Sequence, residues 1–252
     1  MDLGIAGRVA LVAAGTKGIG RALAEGLQAE GCRVAVCART PVDLPDGMRF
    51  DPVDVSQPAD LERWVADVTT HLGPPDILIT NTGGPPAGPW TEMTDAQWQS
   101  GVESTLMNVV RLVRLVAPGM QERGWGRIVH VTSLVAKQPE PLLPISSTLR
   151  AGLRALVRLQ ARELAPHGVT VNGLLPGHTL TDRQRHLAQV RAERAGTDEE
   201  QELVKAGLSI PIGRLATPEE VSAAGLFLCS QPASYITGVN LTVDGGALLS
   251  ID

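Results

Sequence analysis

Short, continuously apolar segments alternate with helix-length segments along the chain, and this alternation constrains the fold more than any other feature. The apolar segments are 8–13, 33–38, 76–80, 127–132, 169–172 and 239–243. Such runs are typical of strands buried on both faces, because a strand with one solvated face alternates apolar and polar residues. The helix-like stretches between them are 20–30, 58–71, 95–123, 146–166 and 218–229. The sequence therefore predicts an α/β fold, a doubly wound parallel sheet with helices on both faces.

Composition narrows the class of protein further. The chain of 252 residues has no evident linker or repeat, so we expect a single domain over residues 1–252. A net charge of -5 gives no reason to expect nucleic acid or an anionic membrane surface as a partner. No apolar run is long enough for a membrane helix, and residues 1–8 resemble neither a signal nor a transit peptide. Because Cys32, Cys37 and Cys229 lack metal-ligand spacing, we expect a cytoplasmic protein without a metal site.

Three segments interrupt the strand–helix rhythm. Proline-rich loops at 83–89 and 139–144 each follow a predicted strand, and 181–208 is a long, polar, helix-prone segment. Ligands of open α/β sheets bind beyond the carboxyl ends of the strands, so we expect the two loops to form pocket walls. We expect 181–208 to form a lid over a small-molecule substrate. The alternative is that all three are surface connections. None contains a cluster of like charges, so the sequence does not favour an acidic or phosphorylated substrate.

Glycines follow the first predicted strand, at the point where a helix begins. The turn contains Gly15, Gly18 and Gly20, with a cation, Lys17, between the first two. Glycines let the backbone approach a pyrophosphate closely, and the helix N-terminus presents unpaired N–H groups. A tight strand-to-helix turn also favours glycine, so the turn alone is a weak indication. Its position between a strand and a helix favours a dinucleotide site.

This turn resembles the T-G-x-x-x-G-x-G motif of the short-chain dehydrogenase/reductase family. Gly18 and Gly20 match, whereas Ala13 and Ala14 replace the Thr-Gly pair, and we expect Gly15 to supply the flexibility that Ala14 lacks. Other matching segments are spread over the chain, at 54–55, 81–84, 172–177, 235–238 and 243–246, with a matching threonine at 181. The resemblance implies a Rossmann-type fold and a homotetramer or homodimer, and the apolar tail 246–251 suits burial in such an interface.

The resemblance also implies a set of cofactor-binding residues. Asp54 with Val55 corresponds to the family's contact with the adenine ring, and 81–84 corresponds to its Asn-Asn-Ala-Gly segment. The full set is Gly15, Thr16, Lys17, Gly18, Ile19, Gly20, Arg39, Asp54, Val55, Asn81, Thr82, Gly83, Arg150, Pro176, Gly177, Thr179 and Thr181.

The residues that end the second predicted strand favour NADP(H) over NAD(H). An acidic residue there would bind the ribose hydroxyls of NAD, whereas an arginine accommodates the 2′-phosphate of NADP. This chain has Arg39 and no carboxylate until Asp43, and Lys17 adds a second cation. Members of the family that prefer NADP(H) are similar at both positions. The alternative is a pair of solvated surface cations. We expect NADPH to bind at least about tenfold more tightly than NADH, or ~1.4 kcal/mol.

The family's catalytic positions are largely changed in this chain. Catalysis in the family rests on Asn, Ser, Tyr and Lys, the last two spaced Y-x-x-x-K on one helix. Ser133 matches the serine, but alignment on the flanking residues places Thr105, Ser146 and Arg150 at the other three positions. The chain has a single tyrosine, Tyr235, which lies in a segment that is structural in the family.

These changes remove the family's usual proton donor. An aliphatic hydroxyl is a much weaker acid than a phenol, so Ser146 should be a poor general acid. Arg150 stays protonated, yet it can bind ribose hydroxyls or stabilise a developing oxyanion. His178 follows the Pro-Gly turn and is an alternative acid, although a lone loop histidine is more often simply solvated.

Three functions stay open at this point. The first is an NADP(H)-dependent oxidoreductase that acts on an activated C=N or C=O group, or that relies on His178 or bound water for the proton. The second is a non-redox enzyme, such as a dehydratase, isomerase or cyclase. The third is an NADPH-binding pseudoenzyme. Detection of NADPH consumption, of product without NADPH consumption, or of binding without turnover separates them.

Overall fold

Seven parallel strands form one sheet in the computed structural model, which describes residues 1–249. The sheet order is β3-β2-β1-β4-β5-β6-β7, so the chain reverses its direction of winding between β1 and β4. Ligands of such sheets bind at this switch point. The strands are β1 (Val9–Ala13), β2 (Arg33–Ala38), β3 (Arg49–Pro52), β4 (Ile77–Thr80), β5 (Gly126–Val131), β6 (Val169–Pro176) and β7 (Asn240–Val243). The predicted doubly wound α/β fold is confirmed.

Helices pack on both faces of this sheet. The α-helices of the described chain are α1 (Gly18–Ala29), α2 (Pro58–Leu72), α3 (Asp95–Gly101), α4 (Asn108–Arg123), α5 (Pro144–Leu164), α6 (Asp182–Ala195), α7 (Glu199–Leu208) and α8 (Pro218–Cys229). A capping box starts α8, where the Thr217 side chain accepts a hydrogen bond from the Glu220 N–H and the Glu220 side chain accepts one from the Thr217 N–H. Within residues 1–249, no helix has the length and apolarity needed to cross a membrane.

The buried apolar side chains form two clusters, one on each face of the sheet. In β1, Val9 and Leu11 belong to the cluster beneath α2 and α4, whereas Ala10 and Val12 belong to the cluster beneath α1 and α8. All five residues of β1 are buried. Burial on both faces explains why the strand sequences are continuously apolar rather than alternating.

The structure differs from the sequence-based expectation in two elements. The expected helix 95–123 is interrupted by a π-helical stretch, Val102–Met107, so the prediction of a single regular α-helix there was wrong. Edge strand β3 was missed because Arg49, Asp51 and Pro52 leave it without an apolar run. The end of the predicted interface tail, 250–251, lies outside the described residues.

Candidate functional site

A cavity of about 450 Å³ opens at the carboxyl ends of the central strands. Its walls are the turn after β1, the segments after β4, β5 and β6, the start of α5 and the first three turns of α6. Fifteen of the site residues predicted from the sequence line it, namely Thr16, Lys17, Gly18, Ile19, Asn81, Thr82, Gly83, Ser133, Ser146, Arg150, Pro176, Gly177, His178, Thr179 and Thr181. The structure thus brings together residues from five separate segments of the chain.

The backbone of the glycine turn departs from our expectation. Ala14 has a left-handed φ of 46° and is the one non-glycine residue with positive φ among those described, whereas Gly15 is not left-handed. Gly15 is required for space instead, because a Cβ there would lie 2.8 Å from Val36 Cγ1. The expectation that Gly15 supplies the flexibility was therefore wrong. Asn81 Nδ2 donates to the Ala14 carbonyl at 3.2 Å, which ties the turn to the end of β4.

The remaining nucleotide-binding candidates lie further along the same edge of the sheet. Arg39 is exposed and directly follows β2, and Asp54 comes shortly after β3. The Asp54 carboxylate accepts hydrogen bonds from Ser56 N and Oγ at 2.9 and 2.7 Å. The sheet order therefore places the residues predicted to contact the adenine, the 2′-phosphate, the pyrophosphate and the nicotinamide one after another along the carboxyl ends of the strands. This order fits an extended dinucleotide.

Ser146 and Arg150 form a hydrogen-bonded pair on one face of α5, at the inner wall of the cavity. Arg150 Nε donates to Ser146 Oγ at 3.2 Å, and Nη1 donates to the carbonyls of Val131 and Thr132 at 3.1 and 2.8 Å. Both side chains are buried. Burial, and to a lesser extent the charge of Arg183, lowers the pKa of Arg150 to about 10, so the guanidinium remains charged at neutral pH.

Ser133 and Thr105 occupy different environments. Ser133 lines the cavity, and its Oγ accepts a hydrogen bond from Val135 N at 3.3 Å. Thr105 lies within the π-helical stretch, is fully buried and does not line the cavity. Its hydroxyl finds no hydrogen-bond partner in the described part of the chain. The fold therefore brings Ser133, but not Thr105, into the same cavity as Ser146 and Arg150.

His178 lines the cavity as a partly buried, uncharged group. Burial, followed by the nearby Arg191 charge, lowers its pKa, whereas the Gln184 hydrogen bond and Glu140 act weakly in the other direction. The Gln184 side-chain amide lies 3.3 Å from His178 Nδ1. A histidine with a lowered pKa is neutral at pH 7, and neutral imidazole is a poor proton donor.

The lid segment contributes more charge to the cavity than its sequence suggested. Arg183, Leu187 and Arg191 follow one another at four-residue spacing on α6, and all three line the cavity. Helical spacing within the predicted lid could have identified this face. Arg191 Nη2 lies 3.8 Å from Glu140 Oε1. The expectation that the lid contains no cluster of like charges was wrong, since the helix brings Arg183 and Arg191 to one face that lines the cavity.

No tyrosine lines the cavity. The chain contains one tyrosine, Tyr235, whose relative exposure is 101%. It precedes β7 and is absent from the cavity lining. No phenol of this chain therefore lies in the cavity.

Comparison with known proteins identifies the family. A family model described as enoyl-(acyl carrier protein) reductase matches residues 13–247. The 3-oxoacyl-(acyl-carrier-protein) reductase FabG of Vibrio cholerae is 32% identical over 251 residues, covering 97% of this chain and 98% of that protein. L-Sorbose reductase from Gluconobacter frateurii, in complex with NADPH and L-sorbose, is 33% identical, with 100% coverage of both chains and a TM-score of 0.93. An actinorhodin polyketide ketoreductase with NADPH is 32% identical over 95% of this chain and 97% of that one, with a TM-score of 0.90. The chain belongs to the short-chain dehydrogenase/reductase family.

Proposed function

We propose that this oxidoreductase uses NADPH to reduce an activated C=N or C=O group, with a Ser146–Arg150 pair at the positions of the family's Tyr and Lys. The observation that carries the proposal is the buried Ser146–Arg150 pair, which faces the same cavity as the glycine turn. A chain whose single tyrosine is exposed elsewhere needs another way to handle charge on the substrate oxygen. NADPH, when bound, supplies the hydride.

Residues along the edge of the sheet fit this cofactor. Lys17 and Arg39 would hold the 2′-phosphate, and Asp54 would hold the adenine end. Lys17 is largely exposed and has a single ion-pair partner, Asp182, at 3.6 Å. Arg39 makes no side-chain hydrogen bond or ion pair within residues 1–249 and is exposed to a ligand. Thr181, which starts α6, would hold the nicotinamide end.

The hydrogen bonds of Arg150 determine what the pair can do. Because Arg150 Nε donates to Ser146 Oγ, the hydroxyl proton of Ser146 remains available to the substrate oxygen. Arg150 Nη2 has no hydrogen-bond partner among the described residues, so its N–H groups can also serve the substrate or the ribose. A fixed cation and a hydroxyl stabilise negative charge that develops on oxygen. Neither group readily gives up a proton at neutral pH.

Because the site lacks a good proton donor, it favours substrates whose reduction does not require a proton. Reduction of a ketone adds a hydride to carbon and a proton to oxygen, whereas an iminium carbon accepts hydride and needs no proton. The lowered pKa of His178 leaves it neutral, so bound water is the more suitable donor where a proton is required. We expect faster reduction of iminium or electron-poor carbonyl compounds than of simple ketones. The lid helices α6 and α7 would enclose the substrate.

The decisive experiment compares NADPH oxidation on two substrate panels. One panel contains cyclic iminium compounds and the other contains simple ketones and a 3-oxoacyl thioester. Wild-type protein should prefer the first panel. Arg150→Met should lower kcat/KM by about 100-fold, the magnitude typical of a lost oxyanion donor, and Ser146→Ala by about tenfold. Arg154→Met is a matched control, because Arg154 lies one turn along α5 and bonds the Ala136 carbonyl outside the cavity.

Other outcomes would point elsewhere. Rapid reduction of simple ketones, unaffected by Arg150→Met, would contradict the proposed roles. Product formation without oxidation of NADPH would indicate a dehydratase, isomerase or cyclase. Tight binding of NADPH without turnover on either panel, together with a co-purifying partner, would indicate a pseudoenzyme.

A further inference from the structure

The first turn of α6 touches both walls of the nucleotide cleft. On one wall, Lys17 Nζ of the glycine turn lies 3.6 Å from Asp182 Oδ2, and a methyl group at Gly18 would lie 3.0 Å from Thr181 Cγ2. On the other wall, Arg183 Nη2 donates to the Pro85 carbonyl at 2.6 Å. The first turn of α6 therefore bridges the segments that follow β1 and β4, and Arg183 lies on the β4 side.

The absence of a side chain at Gly84 leaves the space that the Arg183 guanidinium occupies. A Cβ at Gly84 would lie 2.5 Å from Arg183 Nε and 2.6 Å from its Cζ. The guanidinium thus lies directly against the backbone of the loop that follows β4, the strand that pairs with β1. Since the glycine turn follows β1, the Arg183 side chain is close to where the pyrophosphate of a dinucleotide would bind.

The charges of the cavity are unbalanced. Its charged lining residues are the cations Lys17, Arg150, Arg183 and Arg191 and the acids Glu140 and Asp182. Asp182 pairs with Lys17, and Glu140 pairs with Arg191. Within residues 1–249, neither Arg150 nor Arg183 has a carboxylate within 4.0 Å. Two partly or fully buried cations without an acid are unfavourable unless a ligand supplies negative charge.

We propose that Arg183 is a cofactor-binding residue that closes over the pyrophosphate of NADPH from the lid side. The inference rests on the proposed function for the identity of the cofactor. Two negative charges of a pyrophosphate would offset the two positive charges that lack a carboxylate. The N-termini of α1 and α6 meet at the same point, which adds N–H donors for an anion. A guanidinium is suited to phosphate oxygens because it can donate two parallel hydrogen bonds.

This role predicts a distinctive pattern of affinities. NADPH and NADH share the pyrophosphate, so loss of Arg183 should weaken both equally. Loss of Arg39 should weaken NADPH alone, because only NADPH carries the 2′-phosphate. Arg185 is a matched control on the same helix, since it is exposed, pairs with Glu199 at 3.2 Å and does not line the cavity.

The experiment is a fluorescence titration of both cofactors, which reports binding without turnover. Arg183→Gln should raise the Kd of NADPH and of NADH by about 10- to 100-fold, as loss of a charge-assisted hydrogen bond does. Arg183→Lys should recover part of the affinity, and Arg185→Gln should change it less than about twofold. Circular dichroism of the cofactor-free variants verifies that they fold, and Arg183→Lys is the readout if Arg183→Gln does not.

Two results would overturn the proposal. Unchanged cofactor Kd values with a raised substrate KM would assign Arg183 to the substrate instead. A loss confined to NADPH would assign it to the 2′-phosphate. The proposed reductase activity is tested separately, because wild-type protein that binds NADPH through Arg183 but reduces nothing would leave this inference intact. Conversely, normal reduction with unaffected binding in Arg183→Gln would refute the inference and leave the reductase activity intact.

Discussion

Ala14 is the residue of the nucleotide-binding turn whose conformation suits its side chain least, and replacing it with glycine tests the structure of that turn. Its φ is 46°, in the left-handed region. A side chain in this region brings Cβ close to the following carbonyl, which costs about 1–2 kcal/mol. Short-chain dehydrogenases carry glycine here. Ala14→Gly should therefore relieve strain in the folded state.

Two opposing contributions reduce the stabilisation expected for Ala14→Gly. Glycine has more conformational freedom in the unfolded chain, which costs about 0.5–1 kcal/mol. Ala14 is half-buried, so its methyl contributes less than the ~0.8 kcal/mol of a fully buried group. We expect a net stabilisation of about 0.5 kcal/mol, or roughly 1–2 °C in Tm for a chain of this size.

The neighbouring residue provides the control. Ala13 ends β1, is fully buried and has no positive φ, so Ala13→Gly relieves no strain and loses both the methyl and the backbone restriction. It should destabilise by about 1.5 kcal/mol, which places the two variants about 2 kcal/mol apart. Urea denaturation followed by circular dichroism measures this difference. If Ala14→Gly proves as destabilising as Ala13→Gly, the left-handed conformation at Ala14 is wrong.

Two further predictions concern cofactor choice and pH. Arg39→Ser should lower the affinity for NADPH by about tenfold in a fluorescence titration and leave NADH unchanged; equal losses for both would place Arg39 away from the 2′-phosphate. His130 is fully buried between Thr80 and Gln160, and burial lowers its pKa to about 4. Between about pH 6.5 and 4 the unfolded chain binds a proton that the folded chain does not. The free energy of unfolding should therefore decrease as the pH is lowered through this window, by up to about 1.4 kcal/mol per pH unit. This slope should flatten in His130→Asn and persist in His167→Gln, which changes an exposed histidine.

The fold could be predicted because the pattern of apolar residues that indicates each buried strand repeats along the sequence. Continuous apolar runs indicated strands buried on both faces, and six of the seven strands were found this way. Strand β3 was missed because an edge strand can carry Arg49 and Asp51, which leave no apolar signal. The π-helical stretch was missed because hydrophobic periodicity does not distinguish an extra residue per turn from a regular helix.

The candidate site was predictable wherever one motif supplies a whole contact, and it was not where charges from several segments meet. The glycine turn is local, so its sequence alone indicated a phosphate site. By contrast, Arg150 and Arg183 belong to α5 and α6, and only the folded chain shows that they line one cavity with more cations than acids. That excess of positive charge links the two proposals. Arg150 is charged at neutral pH, but it is buried without a carboxylate partner, and a nearby anion would offset the cost of burying that charge. A pyrophosphate bound by Arg183 would supply that anion, so we expect binding of the cofactor to complete the reacting end of the site.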